Sequence, residues 1–177
     1  VSQDRNEDVL HEIKKLNKFA PLHNPPALQK IEQISSLSDV KQYAVFDTAF
    51  HTSNPREQFL YGLPYGYYEN LGIRKYGFHG TSYEYVCNKL KSINNDIKKV
   101  IVCHLGSGSS VCAIDNGESV DHSFGFTPDE NLIMATRVGE VDYDALVYLK
   151  ETLQLSDKEV ETLINKESGL LGISGIS

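Results

Sequence analysis

The segment Val100-Ile-Val-Cys-His-Leu-Gly-Ser-Gly-Ser-Ser-Val-Cys-Ala-Ile-Asp-Asn-Gly117 decides how the chain is read. A β-rich apolar run, Val100 to Cys103, meets a turn of small residues, His104 to Ser110. A second apolar run, Val111 to Ile114, leaves it, and Asp115-Asn-Gly117 reverses the chain again. Short apolar runs bounded by glycine, serine and Asn-Gly are the pattern of strands joined by tight turns. Gly106 and Gly108 admit a close backbone approach, and successive N–H groups in such a turn cradle anions. Two readings stand: a phosphate-binding hairpin, and an ordinary hairpin with a Gly/Ser loop, because glycine-rich loops are common.

Downstream, Ser119 to Phe126 is predicted to add a third strand. Asp142, and Ser156 with Glu159, are helix-start signals. Upstream, Val9, Leu10, Ile13 and Leu16 share one helical face. The three prolines in Phe19-Ala-Pro-Leu-His-Asn-Pro-Pro26 are expected to keep that stretch out of a helix. A second amphipathic helix carries Leu28, Ile31 and Ile34, and Gln42-Tyr-Ala-Val-Phe46 reads as a buried strand. Residues 52–78 show no regular period and are rich in Tyr, Gly and Pro. Thr81-Ser-Tyr-Glu84 has the form of a capping box ahead of a face of Tyr83, Val86, Cys87 and Leu90.

The chain has 177 residues, 40 % hydrophobic and 23 % charged, the balance of a soluble globular protein. A net charge of −7 argues against non-specific nucleic-acid binding, which needs a basic face, but leaves room for a local nucleotide site. No apolar run approaches the roughly 20 residues that span a bilayer, so no membrane association is expected. The three cysteines, Cys87, Cys103 and Cys112, make no even framework, and a reducing cytosol is the expected compartment.

Several residues could carry chemistry. Asp47 sits just past a predicted strand, where open α/β sheets gather ligands; it can hold a metal-bound water, or cap the turn that follows. His79 lies between glycines before a helix, where the positive dipole end disfavours its charged form; it can donate to an anionic oxygen, or pack as a satisfied histidine. Arg137 can fork onto phosphate oxygens, or be a surface charge. His23 is placed by flanking prolines, and His104 opens the glycine turn; each is a site candidate or a bland loop or packed residue. No Walker-type lysine loop and no Cys/His zinc pattern is present.

As an ordered set these signals resemble the acetate kinase family. The matching runs are Ala20-Pro-Leu-His-Asn-Pro-Pro26, Phe46-Asp-Thr-Ala-Phe-His51, Arg74-Lys-Tyr-Gly-Phe-His-Gly-Thr-Ser82 and Cys103-His-Leu-Gly-Ser-Gly-Ser-Ser110. Further on come Asn116-Gly-Glu-Ser-Val-Asp121, Gly125-Phe-Thr-Pro128, Met134-Ala-Thr-Arg137 and Lys166-Glu-Ser-Gly-Leu-Leu-Gly172. The resemblance implies an α/β, ribonuclease H-like fold of the actin/Hsp70/sugar kinase superfamily, here incomplete and spanning parts of two domains. Residues 1–49 would end the first domain and 50–177 would begin the second. It implies reversible transfer of the γ-phosphoryl of ATP to acetate with Mg²⁺, giving acetyl phosphate and ADP, in a cytoplasmic enzyme that is a homodimer at full length.

The same resemblance makes Asp47, His79 and Arg137 catalytic, with Asp47 also acting on Mg²⁺ through water. Leu22, His23, Phe78 and Pro128 would form the acetate side, and His104, Leu105, Gly106, Ser107 and Gly108 a phosphate loop. The alternatives are a propionate or butyrate kinase and a non-catalytic nucleotide-binding relative. The family's first phosphate loop and its adenosine segment are missing, so the 177-residue chain alone is expected to be inactive. Ser107 stands where the family usually has Asn, and Phe124 and Asp129 change size and charge near the cleft.

Overall fold

A computed structural model describes residues 2–4, 7–18, 20, 23–37 and 40–176. The chain divides into two compact units, Val1–Phe46 and Asp47–Ser177. In the first, β1 (Ser2–Asp4) pairs antiparallel with β2 (Tyr43–Val45). Between them run α1 (Glu7–Lys15) and α2 (Asn24–Leu37), which lie against each other. Leu28 is the buried anchor of α2.

Two expectations for this unit are corrected. Pro25 and Pro26 lie inside α2, in its first turn, where a missing N–H removes nothing because those donors have no intrahelical acceptor anyway. The strand at Gln42–Phe46 is shorter and not buried: Tyr43 is 57 % exposed and Val45 64 %. A short apolar run reads alike as a buried strand or an exposed one, and in a two-stranded ribbon both faces stay accessible.

The second unit is built on a three-stranded antiparallel sheet, β3 (Lys99–Leu105), β4 (Ser109–Asp115) and β5 (Glu118–His122), in the order β3-β4-β5. Asn116 and Gly117 join β4 to β5 with φ of 52° and 89°, the positive pair that a two-residue hairpin turn requires. Strand alternation turns Ser110, Cys112 and Ile114 inward. They meet Tyr83 and Cys87 of helix α5 (Gly80–Ile93), with Val102 of β3, to form the core.

The Tyr-rich segment forms two short helices, α3 (Arg56–Phe59) and α4 (Gly66–Leu71). Its Phe59 and Tyr68 rings pack 5.6 Å apart, and the Arg74 guanidinium lies 3.8 Å over Phe59. Residues 123–142 form a loop without regular structure. The chain continues through α6 (Tyr143–Thr152), α7 (Asp157–Thr162), a π-helical turn at Leu163–Glu167 and α8 (Gly169–Ser174). Asp142 caps α6, and Ser156 with Glu159 forms a full capping box on α7. Among the described residues no helix is long and apolar enough to cross a membrane.

Candidate active site

The site is organised where Asp47 meets the start of α5. The Asp47 Oδ2 accepts from His79 N at 2.5 Å, its Oδ1 from Thr81 N at 3.2 Å, and its backbone O from Gly80 N at 2.9 Å. A carboxylate supplied from 32 residues upstream therefore caps α5, a role worth about 0.5–2 kcal/mol. The expected Thr81–Glu84 capping box does not form, because the N-cap residue is His79 and no side chain within the helix caps it. Gly80 is required here: a Cβ on it would sit 2.1 Å from Asp47 O.

His79 adopts φ 58° and ψ 20°, a left-handed backbone whose cost of order 1–3 kcal/mol must be offset by its surroundings. The Asp47 contacts do this on the backbone side. On the side-chain side, His79 Nδ1 lies 2.8 Å from Ser110 Oγ, and Ser110 Oγ is also hydrogen-bonded to Tyr83 OH. The His79 ring stacks on His104 at 3.9 Å and meets Phe124 edge-on at 4.9 Å. His104 Nδ1 in turn lies 2.9 Å from Ser82 Oγ. Burial, and then His104, push the His79 pKa down from 6.5 to about 4, against the pull of Asp47. His79 is therefore a neutral imidazole at neutral pH.

The residue before it is pinned as well. The buried His51 donates from Nε2 to Phe78 O at 2.9 Å and accepts at Nδ1 from Ser119 Oγ at 2.8 Å. The His51 ring lies 4.5 Å from that of His122, and burial drives the His122 pKa down to about 4.

The glycine turn between β3 and β4 brings in the arginine. A Cβ on Gly108 would sit 3.3 Å from Arg137 Nη1 and 3.6 Å from His79 Nε2. Both donors thus converge on Gly108, the turn residue whose missing side chain leaves room between them. Arg137 Nη1 donates to Pro128 O at 3.0 Å and contacts Met134 Sδ at 3.3 Å, while Nε pairs with Asp129 at 3.3 Å. The arginine loop is bonded to the turn itself, Ala135 N to Ser107 O at 3.3 Å. Ser168, Leu170 and Leu171 donate their N–H groups to Thr136, Met134 and Ala135, so the chain around α8 fastens that loop from behind.

Asp47, His79, His104, the turn through Gly108, Arg137 and Pro128 are therefore linked in one unit, and Phe78 joins through its edge-on contact with Phe124 at 5.4 Å. Leu22 lies outside the described residues. His23 belongs to the first unit, exposed at the start of α2. The sequence puts Ser110 at the end of the glycine turn and Tyr83 on a helix face, but nothing local pairs either with His79. A cavity of about 330 Å³ opens nearby on Asp129, Glu130, Glu140 and Asn165. Its acidic lining disfavours anions.

Among the described residues no group of three or more His, Cys, Asp or Glu could hold a metal. Asp47 alone fits the way Mg²⁺ is usually held, by one or two carboxylates with water and substrate phosphates.

The buried histidines set an acid limit. In the unfolded chain they take protons near 6.5, whereas His79 and His122 resist until about 4 in the fold. Their depressed pKa values leave stability intact above about pH 6.5 and remove it as pH falls toward about 4. The melting temperature is expected to drop between about pH 7 and about pH 4.5; a flat profile would contradict burial of neutral imidazoles.

A model of the Acetokinase family matches residues 5–177. An acetate kinase of Halothermothrix orenii is 47 % identical over 175 residues, covering 97 % of this chain and 44 % of the relative. A propionate kinase of Escherichia coli is 48 % identical over 175 residues, again covering 97 % and 44 %. The crystal structure of a propionate kinase from Francisella tularensis superposes with a TM-score of 0.92 at 42 % identity, covering 99 % of this chain and 46 % of that one. The chain spans less than half the length of these relatives.

Proposed function

The chain belongs to the Acetokinase family, with its actin/Hsp70/sugar kinase-like α/β fold, and from that premise we propose that the full-length protein moves the γ-phosphoryl of ATP to the carboxylate of a short acid, reversibly. The observation that carries this reading is the convergence of Arg137 Nη1 and His79 Nε2 on Gly108.

Phosphoryl transfer asks the protein mainly for positioning and for donors around the equatorial oxygens of the moving group. Arg137 supplies fixed charge, and His79 supplies a neutral donor. The turn from His104 to Gly108 binds the nucleotide phosphates through its backbone. The acceptor is already an anionic nucleophile at neutral pH, so no strong general base is needed. Asp47 would hold Mg²⁺ through water, and the ion would supply neutralisation of the phosphate charge. Phe78 and Pro128 border the acid's alkyl group. The protein acts in the cytoplasm as a homodimer.

An apolar pocket separates acids that differ by one methylene only by about 1–3 kcal/mol. Acetate and propionate are therefore both substrates of this reading, as the two kinds of relative suggest. The test is an assay of the full-length protein with ATP, Mg²⁺ and each acid, trapping the acyl phosphate as its hydroxamate. Turnover is expected with both, at rates within roughly two decades of each other. Absence of turnover with every short acid would leave a non-catalytic nucleotide-binding relative as the correct reading.

A further inference from the structure

Ser110 and Tyr83 are completely buried, 0 % exposed. Tyr83 packs its ring near Phe50 and His51, at 6.2 and 5.8 Å. Its hydroxyl is bonded to Ser110 Oγ, and that oxygen lies 2.8 Å from His79 Nδ1. We infer that Ser110, locked by Tyr83, decides which nitrogen of His79 carries the proton, and so presents Nε2–H beside Gly108, where Arg137 Nη1 also lies. This rests on the reading of His79 as a donor to the transferring phosphoryl.

The chain Tyr83–Ser110–His79 can be protonated in three ways. In the first, Tyr83 donates to Ser110 and Ser110 donates to Nδ1, which leaves the ring proton on Nε2. In the other two, Nδ1–H donates to Ser110. Either Ser110 then donates to Tyr83, which leaves the phenolic proton without an acceptor, or Ser110 accepts from both neighbours, which leaves its own hydroxyl proton without one. Both groups are fully buried. An unmade buried hydrogen bond of this kind favours the first arrangement over either of the others by roughly 5- to 150-fold. Burial lifts the Tyr83 pKa to about 12, so the phenol keeps the proton it must donate. Nε2 is the nitrogen beside Gly108, 3.6 Å from where its Cβ would be. The favoured arrangement aims a donor there, whereas the others would aim a lone pair at phosphate oxygens. Both residues act through His79 and are positioning residues.

The experiment is a long-range ¹⁵N–¹H correlation spectrum of the full-length protein with ¹⁵N-labelled histidine, at neutral pH. His79 is expected to show a protonated Nε2 and an unprotonated Nδ1. Ser110→Ala should share the proton between both nitrogens and lower kcat about tenfold or more with little change in KM. Tyr83→Phe, which keeps the ring, should move the spectrum the same way by less, and Ser110→Thr should restore it. A wild-type His79 protonated at Nδ1, or a Ser110→Ala spectrum unchanged from wild type, would overturn the inference. The wild-type spectrum decides even if a variant fails to fold. It needs no turnover, so a fixed Nε2–H tautomer in an inactive protein would refute the kinase reading and spare the tautomer assignment.

Discussion

Arg137→Ala in the full-length protein is expected to lower kcat by two to three decades while leaving the KM for the acid within a few-fold. That is the size of the loss when one preorganised donor to a developing oxyanion is removed. The expectation rests on how the guanidinium is held. Pro128 O and Met134 Sδ occupy Nη1, and the Asp129 carboxylate occupies Nε. The planar fork is therefore oriented before any substrate arrives, and none of its binding energy is spent on ordering a mobile chain. Lysine offers a point charge without the fork geometry, so Arg137→Lys should recover only a small part of the rate. Steady-state kinetics of the three proteins check this. A rate unchanged in Arg137→Ala would remove the residue from the mechanism.

Gly169→Ala should damage both the stability of the fold and the rate. Gly169 has φ +67°, and a Cβ there would sit 2.3 Å from Met134 O and 2.8 Å from Arg137 O. A left-handed alanine costs about 1–2 kcal/mol, and overpacking against backbone typically adds 1–3 kcal/mol. The sum, about 2–5 kcal/mol, corresponds to a melting temperature lower by roughly 5–15 °C. The backbone that must yield carries Arg137, so the folded fraction should also lose an order of magnitude or more in kcat. Thermal unfolding followed by kinetics on the folded fraction tests both halves. A variant with unaltered melting and rate would show that the chain entering α8 does not hold the arginine loop.

What could be read from the sequence was what neighbouring residues decide among themselves. The β3–β4–β5 meander, the Asn116–Gly117 turn, the cap at Asp142 and the capping box at Ser156 are all governed by residues within a few positions of each other. The helix start at Gly80 was misread for the opposite reason. Thr81 and Glu84 have the local form of a box, but the competing acceptor is Asp47, more than thirty positions away. The exposure of β2 was likewise hidden, because an apolar run does not reveal whether anything covers it. The helical start at Asn24 is a question of position, since prolines that would break a helix interior suit its first turn. The resemblance to acetate kinases brought Asp47, His79 and Arg137 together as a list, but Ser110 and Tyr83 emerge only once α5 lies on β4.

The capping role of Asp47, beside the metal role proposed for it, bears on how relatives of this chain should be judged. Its two carboxylate oxygens each accept from a backbone N–H at the start of α5. An asparagine there would turn its amide N–H₂ toward one of those donors. A lineage that abandoned catalysis would thus still be held to aspartate by folding alone. Aspartate at this place is a mark of architecture, and its retention is poor testimony for turnover. The arginine is the better witness, because the loop's backbone is fastened through carbonyls and N–H groups that any residue at 137 would supply.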